Sequence, residues 1–446
     1  MATYPSLDTF YIISLGCPKN RVDAEVVTGR LVQLGMTPVS DPGNADVLIV
    51  NTCGFLEAAR EESVDTLLAM AEWKNKGRAK RLVAMGCMAQ QVADEIRKLL
   101  PEVDLIVGTG MIDAVADALE SPTKIWLSEE RSYTPDYAPA RVLSLSSAFA
   151  YLKVADGCDR HCTFCTIPNI KGPYRSRPID AIVQEARNLA QQGVRELVLV
   201  AQDLTQFGRP GRRHLLTLLD RLEEVDGIDW IRLMYLYPEG LSDPILRRLG
   251  AGGKVLPYMD IPLQHASDKV LRRMKRATSR KTIDRLLDRA RKYCPDITVR
   301  TTFIVGFPGE TVADFDQLCA FVEQTRFHRL GVFAYSQEMD TPSGHFADQI
   351  DPEERERRKD LIMELQQPIS LAHNQELVGK DFPVLIDGSA PDHDWVRVGR
   401  LPSQAPEVDG MVYTELYDGP DGIIVPCRIM DAGDYDVVAR PLSEID

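Results

Sequence analysis

The segment DGCDRHCTFCTIPNIKGPYRSR, residues 156–177, follows an apolar run that predicts a β-strand, and it carries three cysteines within eight residues: Cys158, Cys162 and Cys165. A four-iron cubane cluster usually takes four cysteine thiolates from the protein, so three thiolates leave one iron for a non-protein ligand. The spacing therefore predicts a 4Fe-4S cluster with one open iron.

Zinc is the competing interpretation of this loop. Zinc sites of this kind usually combine a CxxC pair with a second pair of ligands. His161 is the candidate for a fourth ligand here, but its neighbour Cys162 would hold it away from the metal. The pattern therefore favours the cluster.

S-adenosylmethionine (SAM) can chelate such an open iron through its amine and carboxylate, which places its sulfonium beside the cluster for one-electron cleavage. In this loop, including the phenylalanine before the third cysteine, the sequence resembles the radical SAM superfamily. Two strand-end segments, VAQD and FIVGFPGET, match the superfamily more weakly. The resemblance implies that SAM is bound near Phe164, Gln202, Gly306 and Glu310. A tight turn and an acidic helix start remain open as structural explanations for Gly306 and Glu310.

Three further cysteines lie far apart in the sequence, but each ends a predicted strand, in SLGC, IVNTC and AMGC: Cys17, Cys53 and Cys87. Parallel strands end at one edge of a sheet, and ligands bind at that edge in open α/β sheets. Glycines beside the three cysteines would let the backbone approach a cluster closely. Each thiol taken alone would suggest an ordinary core cysteine, but together they predict a second three-thiolate 4Fe-4S cluster.

The alternation of short apolar runs with amphipathic stretches predicts an α/β protein of three domains. A parallel-sheet, flavodoxin-like domain is expected over residues 1–120, followed by a Pro- and Ser-containing linker over residues 121–148. Six strand–helix units over residues 149–370 predict a partial (β/α)6 barrel. Residues 371–446 contain three Asp-Gly pairs, the first at Asp387-Gly388, which predict turns of a small antiparallel β-barrel.

Over almost its whole length the chain resembles the methylthiotransferase family of radical SAM enzymes, in SLGCPKNRVDAE, NTCGFLEAAREES, VADGCDRHCTFCTIPNIKGPYRSR, IPLQHAS, RTTFIVGFPGET and GRLPSQAPEVDG. The resemblance implies a methylthiotransferase domain whose Cys17, Cys53 and Cys87 hold an auxiliary cluster, a radical SAM core and a terminal TRAM domain. In the implied reaction, sulfur and a methyl group replace a C–H bond. The two clusters divide hydrogen abstraction from sulfur donation, so no acid–base residue is assigned a catalytic role.

The family has two main branches, which modify an isopentenylated adenosine of transfer RNA or the β-carbon of an aspartate in ribosomal protein S-twelve. Pro18-Lys19 stands where the transfer-RNA branch typically has Gln-Met, so this motif resembles the ribosomal-protein branch. Charge is an independent indication, since residues 371–446 carry 5 Lys/Arg and 15 Asp/Glu, a net charge of −10. An acidic module repels RNA phosphates and complements a basic protein. Improved solubility is the alternative explanation of this acidity.

The expected partners are ribosomal protein S-twelve or the small ribosomal subunit, and an electron donor such as flavodoxin or ferredoxin. Direct RNA binding by the acidic barrel is not expected. Neither a leader peptide nor an apolar run of membrane-spanning length is evident, which predicts a cytoplasmic protein without a membrane partner. A non-catalytic iron–sulfur electron carrier or sensor bound to the ribosome is the alternative from another class. Carriers normally have four cysteines per cluster, so two groups of three argue against it.

Overall fold

The computed structural model describes residues 7–208, 214–390 and 393–445. Residues 1 and 446, the outer limits of the first and last predicted domains, lie outside the described residues. Contacts divide the chain into two compact units. The first consists of residues 1–144, 153–185 and 200–202, and the second of residues 145–152, 186–199 and 203–446.

The first unit contains a parallel sheet of β1 (Thr9–Ser14), β2 (Thr37–Pro38), β3 (Val47–Thr52), β4 (Arg81–Gly86), β5 (Leu105–Gly108) and β6 (Ile125–Trp126). The helices between these strands are α1 (Pro18–Gln33), α2 (Glu57–Lys76), α3 (Cys87–Gln91), α4 (Ala93–Leu99) and α5 (Val115–Leu119). The order β2-β1-β3-β4-β5-β6 contains the 2-1-3-4-5 order of flavodoxin-like sheets, which confirms the predicted fold. Strands β3 and β4 are buried almost throughout, as in parallel sheets covered on both faces.

The predicted linker, residues 121–148, is only partly a linker. Its first part contains β6, which pairs with β5 and extends the sheet beyond residue 120. A two-residue strand is too short to produce a recognisable period in the sequence. The predicted boundary therefore separates one strand from its sheet.

The central segment alternates strands and helices. Its strands are β7 (Phe149–Lys153), β8 (Ala155–Asp156), β9 (Arg175–Ser176), β10 (Glu196–Val200), β11 (Trp230–Leu233), β12 (Tyr258–Asp260), β13 (Thr298–Val305) and β14 (Arg329–Ala334). Its helices are α6 (Ile167–Lys171), α7 (Ile179–Gln191), α8 (His214–Glu223), α9 (Asp243–Leu249), α10 (Asp268–Arg273), α11 (Arg280–Tyr293), α12 (Val312–Thr325) and α13 (Pro352–Gln375).

Two sheets of the central segment, β7-β10-β11 and β12-β13-β14, follow the chain order, and the pairs β10–β11, β12–β13 and β13–β14 are parallel. This repeated strand–helix order confirms the predicted partial (β/α)6 barrel. The short antiparallel pair β8–β9 is an addition that flanks the cysteine loop. Helix α13 ends at Gln375, past the boundary that was predicted at residue 370.

The C-terminal segment, in the second unit, forms a closed barrel of β15 (Asp381–Ala390), β16 (His393–Arg400), β17 (Val412–Thr414), β18 (Ile424–Ala432) and β19 (Val437–Pro441). In the barrel order β15-β16-β17-β19-β18, all pairs are antiparallel as predicted except β17–β19. That pair is parallel because β18, which lies between them in sequence, pairs on the far side of β19. Asp387-Gly388 forms a bulge inside β15, and not the predicted turn.

Within the described ranges, no helix combines the length and the apolarity that a membrane crossing requires.

Candidate iron–sulfur and SAM sites

The three dispersed cysteines lie at the carboxyl edge of the parallel sheet. Cys17 follows β1 and immediately precedes α1, Cys53 directly follows β3, and Cys87 is the first residue of α3 after β4. Strand β1 lies between β2 and β3, so the strand order reverses beside it, and such switch points form the ligand-binding crevice of flavodoxin-like sheets. The fold therefore brings Cys17, Cys53 and Cys87 to the edge where a ligand is expected.

Two glycines let these cysteine segments approach closely. Gly16 has φ +84°, and a Cβ atom at this position would lie 2.8 Å from the sulfur of Cys53. Gly86 has φ +96°, and a Cβ there would lie 2.8 Å from the carbonyl oxygen of Thr52. Any side chain at either position would push the strand ends apart. The glycine requirement thus comes from the mutual approach of the cysteine segments.

Asn20 ties the three segments together. Its Nδ2 donates hydrogen bonds to the carbonyl oxygens of Leu15 (3.2 Å) and Thr52 (3.1 Å). The Cys87 thiol donates a hydrogen bond to Oδ1 of Asn20, with sulfur and oxygen 3.4 Å apart. One buried side chain, only 1% exposed, therefore contacts the segments that precede Cys17 and Cys53 as well as the third cysteine itself.

Burial and the proximity of other thiols raise the pKa of two of these cysteines, Cys53 and Cys87. The pKa of Cys87 is raised to about 12, chiefly by burial; the Lys171 ammonium opposes this rise, and Cys17 and Cys53 add to it. Burial also raises the pKa of Cys53, with a further contribution from Cys17. Iron binds the thiolate, so loading of such a site releases protons and strengthens with rising pH.

The chemistry of the donor set fits a cluster better than a single ion. Among the described residues, no group of three His, Cys, Asp or Glu side chains is arranged to hold one metal ion. Thiolates around a cubane cluster each bind a different iron and stand further apart than ligands of one ion. Three thiols in each group match the donor set of a four-iron cluster with one open iron, and the assignment of the six ligands remains a prediction.

The CxxxCxxC loop begins directly after β8 and is shaped by its own backbone. The N–H of Cys158 donates to the Gly172 carbonyl oxygen (3.1 Å), and the N–H of Cys165 donates to the Cys162 carbonyl oxygen (3.2 Å). The N–H of Arg160 donates to the Cys158 sulfur (3.4 Å). Hydrogen bonds to cysteine sulfur are one of the features that tune cluster potentials. Cys158 is buried, whereas Cys162 and Cys165 are partly exposed.

Gln202 contacts the start of this loop. Its Nε2 donates to Asp156 Oδ1 (2.7 Å), and the same oxygen accepts the N–H of Gly157 (3.0 Å). Its Oε1 is buried, and no donor reaches it from any described residue. An unsatisfied buried acceptor is costly, so this atom fits a ligand that brings a donor, such as the ammonium group of SAM. Phe164, the other predicted SAM contact of this unit, is half-buried.

Gly306 and Glu310 lie in the second unit, where both contact α13. Gly306 has φ +72°, and a Cβ there would lie 2.8 Å from the Cβ of Arg355. The Glu310 carboxylate accepts hydrogen bonds from Arg358 Nη1 (2.9 Å) and from the N–H of Phe307 (3.0 Å). These contacts are sufficient structural reasons for both residues. Their contact with SAM remains a prediction.

Several buried polar residues near the cysteines were not predicted from the sequence. Asn20 and Asp23 lie inside the motif SLGCPKNRVDAE, but polar residues of a helix normally face water, so the pattern gave no sign of burial. The structure buries them together with three charged residues of the segment around the radical loop: Lys153, Asp156 and Lys171. The available signal was that these residues all lie within six positions of a predicted cluster ligand in the sequence.

Family models match three successive segments of the chain. Residues 9–108 match the Uncharacterized protein family UPF0004, residues 152–322 the Radical SAM superfamily, and residues 378–442 the TRAM domain. The match over residues 152–322 includes the CxxxCxxC loop and most of the partial barrel. Fold and loop together define a protein of the radical SAM class.

Relatives of nearly full length narrow this class. The chain is 46% identical to a protein of Anaeromyxobacter sp. (strain K) named "Ribosomal protein uS12 methylthiotransferase RimO", covering 97% of this chain and 93% of the relative. Identity to proteins of the same name is 44% in Trichlorobacter lovleyi and 40% in Geobacter sulfurreducens, covering 97% of this chain and 98% of each relative. The chain belongs to the RimO family of radical SAM methylthiotransferases.

Solved structures support the fold alone. The radical SAM methyltransferase TsrM of Kitasatospora setae, with cobalamin and a 4Fe-4S cluster bound, superposes with a TM-score of 0.54 at 14% identity over 76% of this chain and 77% of TsrM. The cobalamin-dependent radical SAM enzyme OxsB superposes with a TM-score of 0.51 at 12% identity over 80% of this chain and 56% of OxsB.

Proposed function

We propose that this chain is a methylthiotransferase that replaces a hydrogen on the β-carbon of an aspartate in ribosomal protein uS12, the S-twelve protein of the small subunit, by a methylthio group. The observation that carries this proposal is the pair of cysteine groups in the first unit. Each group offers three thiols, and each therefore suits a 4Fe-4S cluster with one open iron. The names of the relatives support uS12 over transfer RNA as the substrate.

We assign the auxiliary cluster to Cys17, Cys53 and Cys87, and the radical cluster to the three cysteines of the loop. When bound, the clusters supply one-electron cleavage of SAM and a place for the sulfur that is transferred. Phe164 and Gln202 are the proposed SAM contacts of the first unit. Gln202 is favoured because its buried Oε1 accepts no hydrogen bond from the described residues. Gly306 and Glu310, which both contact α13, are the proposed SAM-binding residues of the second unit.

The chain's own residues would fix the auxiliary thiols and exclude water. Cys53 and Cys87 are 7% and 6% exposed, so their environment is largely closed to solvent. Asn20 fixes the relative positions of the segments that carry them. Exclusion of water protects a reactive radical from side reactions. This arrangement suits radical chemistry better than the electron-carrier alternative, which needs no open iron.

The charge of the terminal barrel supports a basic protein substrate. Its four arginines each pair with a carboxylate of the same barrel: Arg397 with Asp421, Arg400 with Asp387, Arg428 with Asp381, and Arg440 with Glu415. These arginines are therefore already engaged, while the segment keeps a net charge of −10. Phosphate binding depends on unengaged Lys and Arg, so we infer that the barrel does not bind RNA directly. Complementary charge would steer a basic ribosomal protein toward it.

A substrate test decides the function. Reconstituted protein, a reductant and SAM are incubated in parallel with uS12 and with isopentenylated transfer RNA, and both products are analysed by mass spectrometry. We expect one added CH2S unit on an aspartate of uS12 and none on the transfer RNA. Modification of the transfer RNA alone would overturn the assignment. Absence of 5′-deoxyadenosine in every incubation would favour the electron carrier.

The remaining partners follow from the proposed chemistry. Cleavage of SAM consumes one electron, so we propose a small reductant such as flavodoxin or ferredoxin as donor. Because its substrate is a ribosomal component, the protein is proposed to act in the cytoplasm, on free uS12 or on the small subunit. Comparing the two forms of uS12 in the same incubation would identify the true substrate.

A further inference from the structure

Four buried charges form a closed network in the first unit. Lys153 Nζ contacts Asp23 Oδ1 and lies 3.5 Å from Asp156 Oδ2. Lys171 Nζ lies 3.4 Å from Asp23 Oδ2 and 3.3 Å from Asp156 Oδ2. Each of the four side chains is at most 3% exposed. Two cations and two anions thus neutralise one another away from water.

The network lies between the segments that carry the two cysteine groups. Asp23 is on α1, the helix that begins directly after Cys17. Asp156 is two residues before Cys158, and Lys171 is the last residue of α6, which follows the radical loop. Helix α6 packs against α3, whose first residue is Cys87. The network is therefore shared by the surroundings of both proposed clusters.

Lys171 is the member of the network that acts on the auxiliary thiols. Lys171 ends α6, and α6 packs against α3, the helix that begins at Cys87. Burial raises the pKa of the Cys87 thiol, and the Lys171 ammonium opposes that rise. Lys153 instead has its ammonium group 5.1 Å from the centre of the Tyr133 ring. The two lysines share their carboxylates but face different neighbours.

Stability alone does not explain such a network. Buried ion pairs pay a large desolvation cost, and apolar side chains of similar volume are often at least as stable. A buried cation beside two cluster ligands has an electrostatic use, because low polarity strengthens its attraction for nearby anions. The anions expected there are the thiolates and any sulfur species on the open iron.

On the basis of the proposed function, we propose that Lys171 is a positioning residue of the auxiliary site. Its charge, held in place by Asp23 and Asp156, favours an anionic sulfur ligand on the open iron. The ligand class is a small thiolate or hydrosulfide. Its binding adds one iron–sulfur coordination bond and transfers no electron. The lysine would therefore retain the sulfur species that awaits transfer.

The test measures thiolate binding directly. The full chain is prepared with all three loop cysteines replaced by alanine, so that reconstitution loads only the auxiliary site. Sodium methanethiolate is then titrated into the reduced protein, and the electron paramagnetic resonance (EPR) spectrum of the cluster is followed. In this background, Lys171→Met should weaken methanethiolate binding roughly tenfold or more, since one buried charge is lost. Lys171→Arg keeps the charge and should bind nearly as the parent does.

Two controls separate charge from packing. Arg141 belongs to a second buried network of this unit, where it pairs with Glu25 and Glu185, and Arg177 pairs with Glu185. This second network also consists of two cations and two anions, so Arg141→Met measures the general cost of breaking a buried network of this kind. The Arg141→Met variant should bind methanethiolate with unchanged affinity.

The double variant Lys171→Met/Asp23→Asn leaves the neutral pair Lys153–Asp156, and it keeps the test decisive if the single variant does not fold.

The outcomes distinguish the inference from the function on which it rests. Weaker binding in both Lys171→Met variants, with iron and sulfide content unchanged, supports the proposal. Unchanged affinity in the double variant overturns it, and so does an equal loss in Arg141→Met. If the parent protein assembles no cluster on Cys17, Cys53 and Cys87, the proposed function itself fails before any titration.

Discussion

The two cysteine groups of this chain, each proposed to hold a 4Fe-4S cluster, are assembled in different ways. The radical group lies in one loop, where Cys158, Cys162 and Cys165 span eight residues. The auxiliary group is collected from the ends of three strands, with Cys17 and Cys87 seventy residues apart. A local loop can present its ligands without the rest of the fold. The dispersed group exists only once the parallel sheet has formed, so its cluster and its domain should be stabilised together.

This difference teaches where each site is vulnerable. The loop depends on its own turns, such as the contact between Cys158 and Gly172. The dispersed site depends on strand register, on close approaches between strand ends and on Asn20. Substitutions outside the loop should therefore disturb the auxiliary cluster more often than the radical cluster.

The largest expected effect separates the two clusters by function. Cys158→Ala should abolish cleavage of SAM to 5′-deoxyadenosine. Cys53→Ala should retain that cleavage but lower methylthio transfer to uS12 by more than roughly a hundredfold, beyond the loss typical of outer-shell substitutions at metal sites. Both products are measured in one incubation by chromatography and mass spectrometry. Cys427→Ala, at a buried thiol of the terminal barrel, is the control and should retain both activities. Loss of SAM cleavage in Cys53→Ala would show that the two sites are not separable.

A matched pair of glycines gives the next largest effect. Gly86 has φ +96° and ψ −149°, a conformation almost confined to glycine, and Gly157 has φ +79° with the Pro173 carbonyl in the way of any Cβ. Each change to alanine should cost about 1–3 kcal/mol of local stability. Gly86→Ala should lower auxiliary-cluster content, and Gly157→Ala should lower radical-cluster content. EPR of each variant measures the two contents. Gly35→Ala controls for positive φ alone, because its Cβ would meet nothing within 4 Å. Equal loss of both clusters in each variant would contradict the comparison.

The same contrast explains how much the sequence could predict. The loop could be recognised from spacing alone, because its three cysteines are close together in the chain, and the cluster with one open iron that it is proposed to hold remains a prediction. The convergence of Cys17, Cys53 and Cys87 could also be predicted, because parallel strands share one carboxyl edge. That inference needed only the alternation of predicted strands and helices, and the flavodoxin-like strand order confirms the predicted parallel sheet.

The polar surroundings could not be predicted, and the reason is physical. Asp23 and Lys171 are charged residues in helices, and such residues nearly always face water unless a partner is buried with them. Their partners, Asp156 and Lys153, come from another part of the chain, so pairing becomes visible only in three dimensions. Strand β6 was not predicted for a simpler reason, since a two-residue strand carries no period.

A smaller effect is expected at Asn20, which joins the dispersed segments. Asn20→Ala removes two hydrogen bonds to carbonyl oxygens and one contact with Cys87, and it should cost about 1–3 kcal/mol because buried acceptors are left unpaired. Urea unfolding of the cluster-free chain measures that loss, and iron content measures the auxiliary site. Asn75→Ala, on an exposed position of α2, is the control for the substitution type. An Asn20→Ala variant with full auxiliary-cluster content would show that the strands alone fix the thiols.

The smallest effect tests the dispersed site from the opposite edge of its sheet. Asp46, just before β3, accepts hydrogen bonds from the N–H groups of Asp8 and Thr9 (both 3.1 Å) and pairs with Arg78 (3.0 Å) and Lys80 (3.3 Å). Burial alone would raise its pKa, but these partners outweigh burial and lower the pKa to about 2. Its stabilisation is therefore complete above the ordinary pKa of 3.8 and is lost as the pH falls toward about 2.

Asp46→Asn should accordingly lower the free energy of unfolding near neutral pH by roughly 1–2 kcal/mol, discounted for the exposure of Arg78 and Lys80. The difference from the parent chain should shrink between about pH 4 and about pH 2, where the parent loses the same interaction. Urea unfolding of both cluster-free chains across this range measures the effect. Because β1, β3 and β4 all begin near Asp46, weaker anchoring there should also reduce auxiliary-cluster content while the loop keeps its own cluster. A pH-independent difference would mean that Asp46 acts through packing, and the charge would then have no part in holding the strands in register.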